Sequence, residues 1–164
     1  MKNLTKCIAI SGCLITTGLS AAVTEADTDK TSFNIGGQIL PECKVTSFSP
    51  EQATSLDLST SNSQTTANVS VWCNTGQSAA NTTYSSANAG YLVDDTGNRI
   101  AYNVGVSGTS NELNLASPQT IEQVAGTGNQ GETQDTTVSI IPQVNGLESA
   151  GSYSDTIAIT VSYN

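Results

Sequence analysis

Apolar side chains recur at every second position in five separate rows of this chain. Phe33, Ile35 and Ile39 form the first, with Gly37 in the gap. Val69, Val71 and Cys73 form the second, Ile100, Tyr102, Val104 and Val106 the third. Val138, Ile140, Pro142 and Val144 make the fourth, Ile157, Ile159, Val161 and Tyr163 the last. A two-residue period places each row on one face of an extended strand. Between the rows lie Ser, Thr, Asn, Gln and Gly, none of which favours a helix interior. Asp94-Asp95-Thr96-Gly97-Asn98 reads as a hairpin turn before the third row, and Asn145-Gly146 and Gly151 flank a turn before the last. Short alternating strands joined by polar turns predict an all-β sandwich, with Pro142 marking an edge strand or a bulge.

The 164 residues give room for one domain, and the first stretch stands apart from it. Lys2 and Lys6 precede an apolar run from Cys7 to Ala22 that ends in the small residues Ser20-Ala21-Ala22. That is the pattern of a signal peptide over 1–22, and the run is too short and too rich in Ser, Thr and Gly for a membrane anchor. Ile10-Ser11-Gly12-Cys13 resembles a lipoprotein cleavage box. Cutting there would leave almost no apolar segment before the cut, so the first reading is preferred. Residues 23–32 read as a flexible acidic leader, and 33–164 as the folded domain. After cleavage, Lys30, Lys44 and Arg99 face fourteen acidic residues, a formal charge of −11. Phosphate binding needs clustered cations, so nucleic acid is not an expected partner. Cys7 and Cys13 leave with the signal peptide. In an exported chain the remaining pair, Cys43 and Cys73, is most simply a disulfide.

Few residues could carry chemistry. The chain has no His, which removes Ser-His-Asp and Cys-His machinery and leaves two thiols as a poor zinc site. Neither Lys30 nor Lys44 sits in a nucleophile motif. Gly126-Thr-Gly-Asn-Gln-Gly131 fits the dinucleotide pattern literally, but a strand rather than a helix is expected after it, so it reads as a flexible loop. Asp94 and Asp95 are neighbours that a strand would point to opposite faces; they read as turn residues, with a weak calcium site as the rival. Trp72 and the tyrosines could line a carbohydrate patch, although Trp72 beside Cys73 is expected to pack near the disulfide. No enzyme activity and no cofactor are expected. A carboxylate hydrolase would need two acidic side chains converging about 5–10 Å apart, and no such pair is visible.

Several segments together resemble the spore coat protein U family, which includes subunits of archaic chaperone–usher pili. Phe33-Asn-Ile-Gly-Gly-Gln-Ile39 with Cys43-Lys-Val45 looks like its first strand, and Val69-Ser-Val-Trp-Cys73 like its second-cysteine strand. Arg99-Ile-Ala-Tyr-Asn-Val104 is similar to its central tyrosine strand, and Ala150 to Tyr163 to its closing strand. Chaperone–usher pilins commonly end with a penultimate aromatic residue and a glycine near the fourteenth position from the end; Tyr163 and Gly151 occupy those places. The chain departs from the family at Leu56-Asp-Leu58-Ser59, where Leu-x-Phe-Gly is common, and Leu113 to Asp135 aligns with nothing in it.

The resemblance implies an immunoglobulin-like sandwich lacking its final strand, with an apolar groove beside the C-terminal strand. Gly151, Ile157, Ile159, Val161 and Tyr163 are then expected at that groove, where a periplasmic chaperone strand would bind first. The donor strand of a neighbouring pilin subunit would follow as an outer-membrane usher exports the fibre to the cell surface. The best donor in this chain is the row Phe33, Ile35, Ile39. The closing row runs to Asn164, so no residue of this sequence after it is expected to complete the sheet, and the N-terminal row either donates to a neighbour or completes its own sheet. The rival readings are a tip adhesin or carbohydrate-binding module of the same fold, and a spore or cell coat structural protein.

Overall fold

Val69, Val71 and Cys73 sit on one face of the strand β2 (Gln64–Cys73), and all three are fully buried. This alternation is what the sequence predicts, and it fixes the inner face of the first sheet. In the computed structural model, residues 30–48, 55–128, 131 and 133–164 are described. The expected signal peptide and most of the leader lie outside them. Two units are distinguished, Met1–Gln38 and Ile39–Asn164. In the first, residues 30–38 have no regular secondary structure. Every described strand belongs to the second.

The remaining strands are β1 (Cys43–Phe48), β3 (Ala79–Ser86), β4 (Tyr91–Val93), β5 (Arg99–Val106), β6 (Leu113–Asn114), β7 (Gln119–Val124), β8 (Gln134–Pro142) and β9 (Ile157–Tyr163). No helix occurs among the described residues. One antiparallel sheet has the order β1-β2-β8-β5-β4, with β6 also paired to β5; the other has the order β7-β3-β9. In an immunoglobulin sandwich the first, second, fifth and fourth strands share one sheet, and the third, sixth and seventh share the other. Here β1, β2, β8 and β5 follow the first order, while β3 and β9 take the third and sixth places. No described strand takes the seventh place beside β9.

The core lies between the sheets. Val69, Val71, Ile100, Tyr102, Val104, Val106, Val138 and Ile140 enter it from one side, Ala80, Thr82 and Tyr84 from the other. The third and fourth predicted rows are thus β5 and β8, except that Val144 lies past the end of β8. The disulfide joins Cys43 to Cys73 at directly opposite positions of β1 and β2. The predicted hairpin turn connects β4 to β5: the Gly97 amide donates to the Asp94 carbonyl, and Gly97 takes φ 88°.

Pro142 corrects an expectation, because β8 is an interior strand lying between β2 and β5. The Gln143 amide donates to the Ala101 carbonyl, so the adjacent pair Pro142–Tyr102 is a non-hydrogen-bonded one. On its other side β8 meets β2 only as far as Ile140, opposite Gln64. The missing proline N–H therefore faces a place where no ladder bond would form.

The glycine-rich loop after β7 is also more ordered at its start than expected. Where β8 leaves the edge of β2, Gly126 takes over: its amide donates to Val71, and its carbonyl accepts from Cys73. The strand β8, not a helix, follows the loop.

Candidate functional site

The strand β9 pairs with β3 along its whole length, with Ile157, Ile159, Val161 and Tyr163 opposite Ser86, Tyr84, Thr82 and Ala80. These register partners differ in burial. Ala80, Thr82 and Tyr84 are fully enclosed, whereas Ile157, Ile159 and Val161 are only half-buried and Tyr163 is 51% exposed. Both rows point into the same sandwich, so the difference lies at the other edge of β9, which no described strand covers. Among the described residues that edge has no strand partner, and an edge of this kind is a template for another strand.

A second edge faces this one. The strand β1 approaches β9 from the opposite sheet. Its inward side chains Cys43 and Val45 are half-buried, while their partners Cys73 and Val71 are fully buried. Cys43, Val45, Ile157, Ile159 and Val161, partly buried along these two edge strands, pack against the core.

The start of β9 is pinned without help from that edge. Ser154 and Val93 exchange backbone hydrogen bonds of 2.9 and 3.0 Å. Asp155 accepts from the Tyr102 hydroxyl at 2.6 Å, the Ser86 hydroxyl at 2.5 Å and the Asn88 amide at 3.1 Å. Burial, then the hydrogen bond to Asp155, pushes the Tyr102 hydroxyl well above the usual phenol range. Gly151, expected at the groove, lies six residues before β9 and packs against Asp94 instead. A Cβ on Gly151 would stand 3.0 Å from the Asp94 Oδ2. Asp94 is itself buried and accepts hydrogen bonds from four donors, the backbone amides and side chains of Thr96 and Asn98. These bonds commit its carboxylate to the turn rather than to a cation.

The expected donor residues are the most exposed large apolar side chains of the N-terminal segment. Phe33, Ile35 and Ile39 are 83, 86 and 88% exposed, and residues 30–42 form no strand. Their two-residue pattern is present in the sequence without a sheet to bury it.

Trp72 corrects a second expectation. Successive residues of β2 point to opposite faces, so Trp72 turns away from the buried Cys73. Its indole N–H donates to the Gly128 carbonyl at 2.9 Å, and the Lys44 ammonium lies 5.6 Å from its ring centroid. Elsewhere two open depressions of about 410 and 290 Å³ are lined mainly by polar side chains, with one carboxylate each, Glu112 and Glu148. No family model and no curated protein matches the chain.

Proposed function

We propose that this chain is a structural subunit of a surface pilus, assembled by donor-strand exchange. Residues 33–39 of one subunit form a strand in the cleft beside β9 of the next. The observation that carries the reading is the half-buried row of β9, set against its fully buried register partners on β3. The donor matches the site in chemistry and in length. It offers large apolar side chains at a period of two, and like β9 it spans seven residues. Backbone hydrogen bonds would supply affinity, and alternate side chains entering the cleft would set register. Each large apolar side chain seated there contributes about 1.5–3 kcal/mol before the cost of ordering the strand.

Head-to-tail exchange is a heterologous contact and generates an open filament. Before assembly the same cleft needs a temporary occupant, the role assigned to a periplasmic chaperone; an outer-membrane usher then passes the fibre to the cell surface. The resemblance to the spore coat protein U family, at the strands containing Cys43, Cys73, Tyr102 and Tyr163, supports this pathway. Electron microscopy of cells expressing variants tests it. Ile35→Asp places an unpaired carboxylate in the donor row and should leave soluble subunit but few or no fibres. Thr31→Asp, outside the row, should assemble normally. Normal fibres from the Ile35 variant would remove the donor assignment.

A further inference from the structure

Residues 40–42 are held in place although their side chains face solvent. The clamp is Asn74, the residue after β2. Its side-chain N–H donates to the Leu40 carbonyl at 2.9 Å, and its side-chain oxygen accepts from the Glu42 amide at 2.8 Å. Its own amide donates to the Glu42 carbonyl at 3.0 Å, continuing the β1–β2 ladder one pair beyond the disulfide. Pro41, between the clamped residues, has a fixed φ. Leu40 is 69% exposed, so these bonds gain little apolar burial there. What they fix is the course of residues 40–42 alongside the end of β2.

We propose that Asn74 is a positioning residue that keeps strand exchange between copies of this chain by preventing residues 33–39 from folding back into their own cleft. The inference rests on the strand-exchange reading above. The cleft is bordered by β1, and the donor row ends at Ile39, with three residues between it and the start of β1 at Cys43. A return into the chain's own cleft must therefore reverse within residues 40–42. Those residues span at most about 10 Å when extended. They are also the ones whose carbonyls and amide Asn74 holds in line with β1. Releasing them lets a short reversal form, and the effective concentration of a tethered strand then favours self-insertion over exchange.

The test uses the mature chain purified from the periplasm, with size-exclusion chromatography and light scattering. A synthetic peptide of residues 30–42 serves as competitor. The wild-type chain should form polymers that excess peptide suppresses. Asn74→Ala should raise the ratio of monomer to polymer by roughly tenfold, the scale expected for losing two side-chain hydrogen bonds. Its monomer should no longer take up peptide, because its own strand occupies the cleft. A second variant, with four flexible residues inserted between Ile39 and Leu40, bypasses the clamp without touching β2 and should give the same peptide-refractory monomer. It decides the matter if Asn74→Ala does not fold. Wild-type levels of polymer from the folded variants would overturn the role of Asn74. A wild-type chain that neither polymerises nor binds the peptide would instead overturn the strand-exchange reading itself.

Discussion

Two carboxylates at the ends of the 151–155 segment decide how β9 is held. Asp155 collects the hydroxyls of Tyr102 and Ser86 and the Asn88 amide. Asp155→Ala should cost about 2–3 kcal/mol in urea denaturation, because it leaves a buried phenol without its acceptor. Tyr102→Phe should cost less. Burial raises the Asp94 carboxyl, but hydrogen bonds from Asn98 and then Thr96 outweigh it and leave the group below its ordinary value of 3.8. A carboxylate whose folded pKa is depressed adds stability above its unfolded pKa, and that stability is lost as pH falls through the folded value. Asp57, hydrogen-bonded by Ser59, and Glu148, hydrogen-bonded by the Asn145 amide, shift the same way. The urea midpoint should thus hold down to about pH 4 and fall below it, less steeply in Asp94→Asn than in the wild type. At the alkaline end, burial pushes Tyr84 up to about 12 despite its hydrogen bond to Gln123. The neutral phenol is favoured in the fold, so stability is complete below the ordinary value of 10.0 and declines as pH rises towards 12. Absorbance titration should show Tyr84 and Tyr102 ionising above the ordinary phenol range.

At the level of elements, the sequence exposes strands whose inner rows are large and apolar. The strands β2, β5, β8 and β9 were legible because Val, Ile and Tyr recur at a period of two. The strand β3 was not, since its inner face is Ala80, Thr82 and Tyr84, and two small residues do not rise above a polar background. Pro142 misled because a missing N–H matters only where a ladder bond would form, which depends on where β2 ends. Trp72 misled because nearness in sequence to Cys73 is opposition in a strand. Most of the candidate site was legible as composition: the rows at 33–39 and 157–163 stand out equally. What separates them is invisible in sequence, since one row half-fills a sandwich and the other lies exposed. Under the strand-exchange proposal, Ile159 belongs to the receiving side. Ile159→Asp should therefore block uptake of a peptide of residues 30–42, measured by calorimetry, while Thr160→Asp on the outer face should bind it nearly as the wild type does.

At the scale of the whole molecule, the disulfide and the open edge work against each other. The Cys43–Cys73 bond ties the edge strand β1 to β2 whether or not another strand lies beside β9. For a separation of 30 residues the chain-entropy argument gives at most about 3–4 kcal/mol. Reduction should lower the urea midpoint accordingly, and alkylation followed by mass spectrometry should leave Cys43 and Cys73 unmodified until reductant is added. The β9 row is left half-exposed, and under the proposed strand exchange an incoming strand would bury it. Amide hydrogen exchange, compared between isolated subunits and assembled polymer, measures that restoration most directly. The account predicts fast exchange in residues 33–39 and along the free edge of β9 in the subunit, and strong protection of both in the polymer. Polymer in which β9 and residues 33–39 exchange as fast as in the subunit would contradict it.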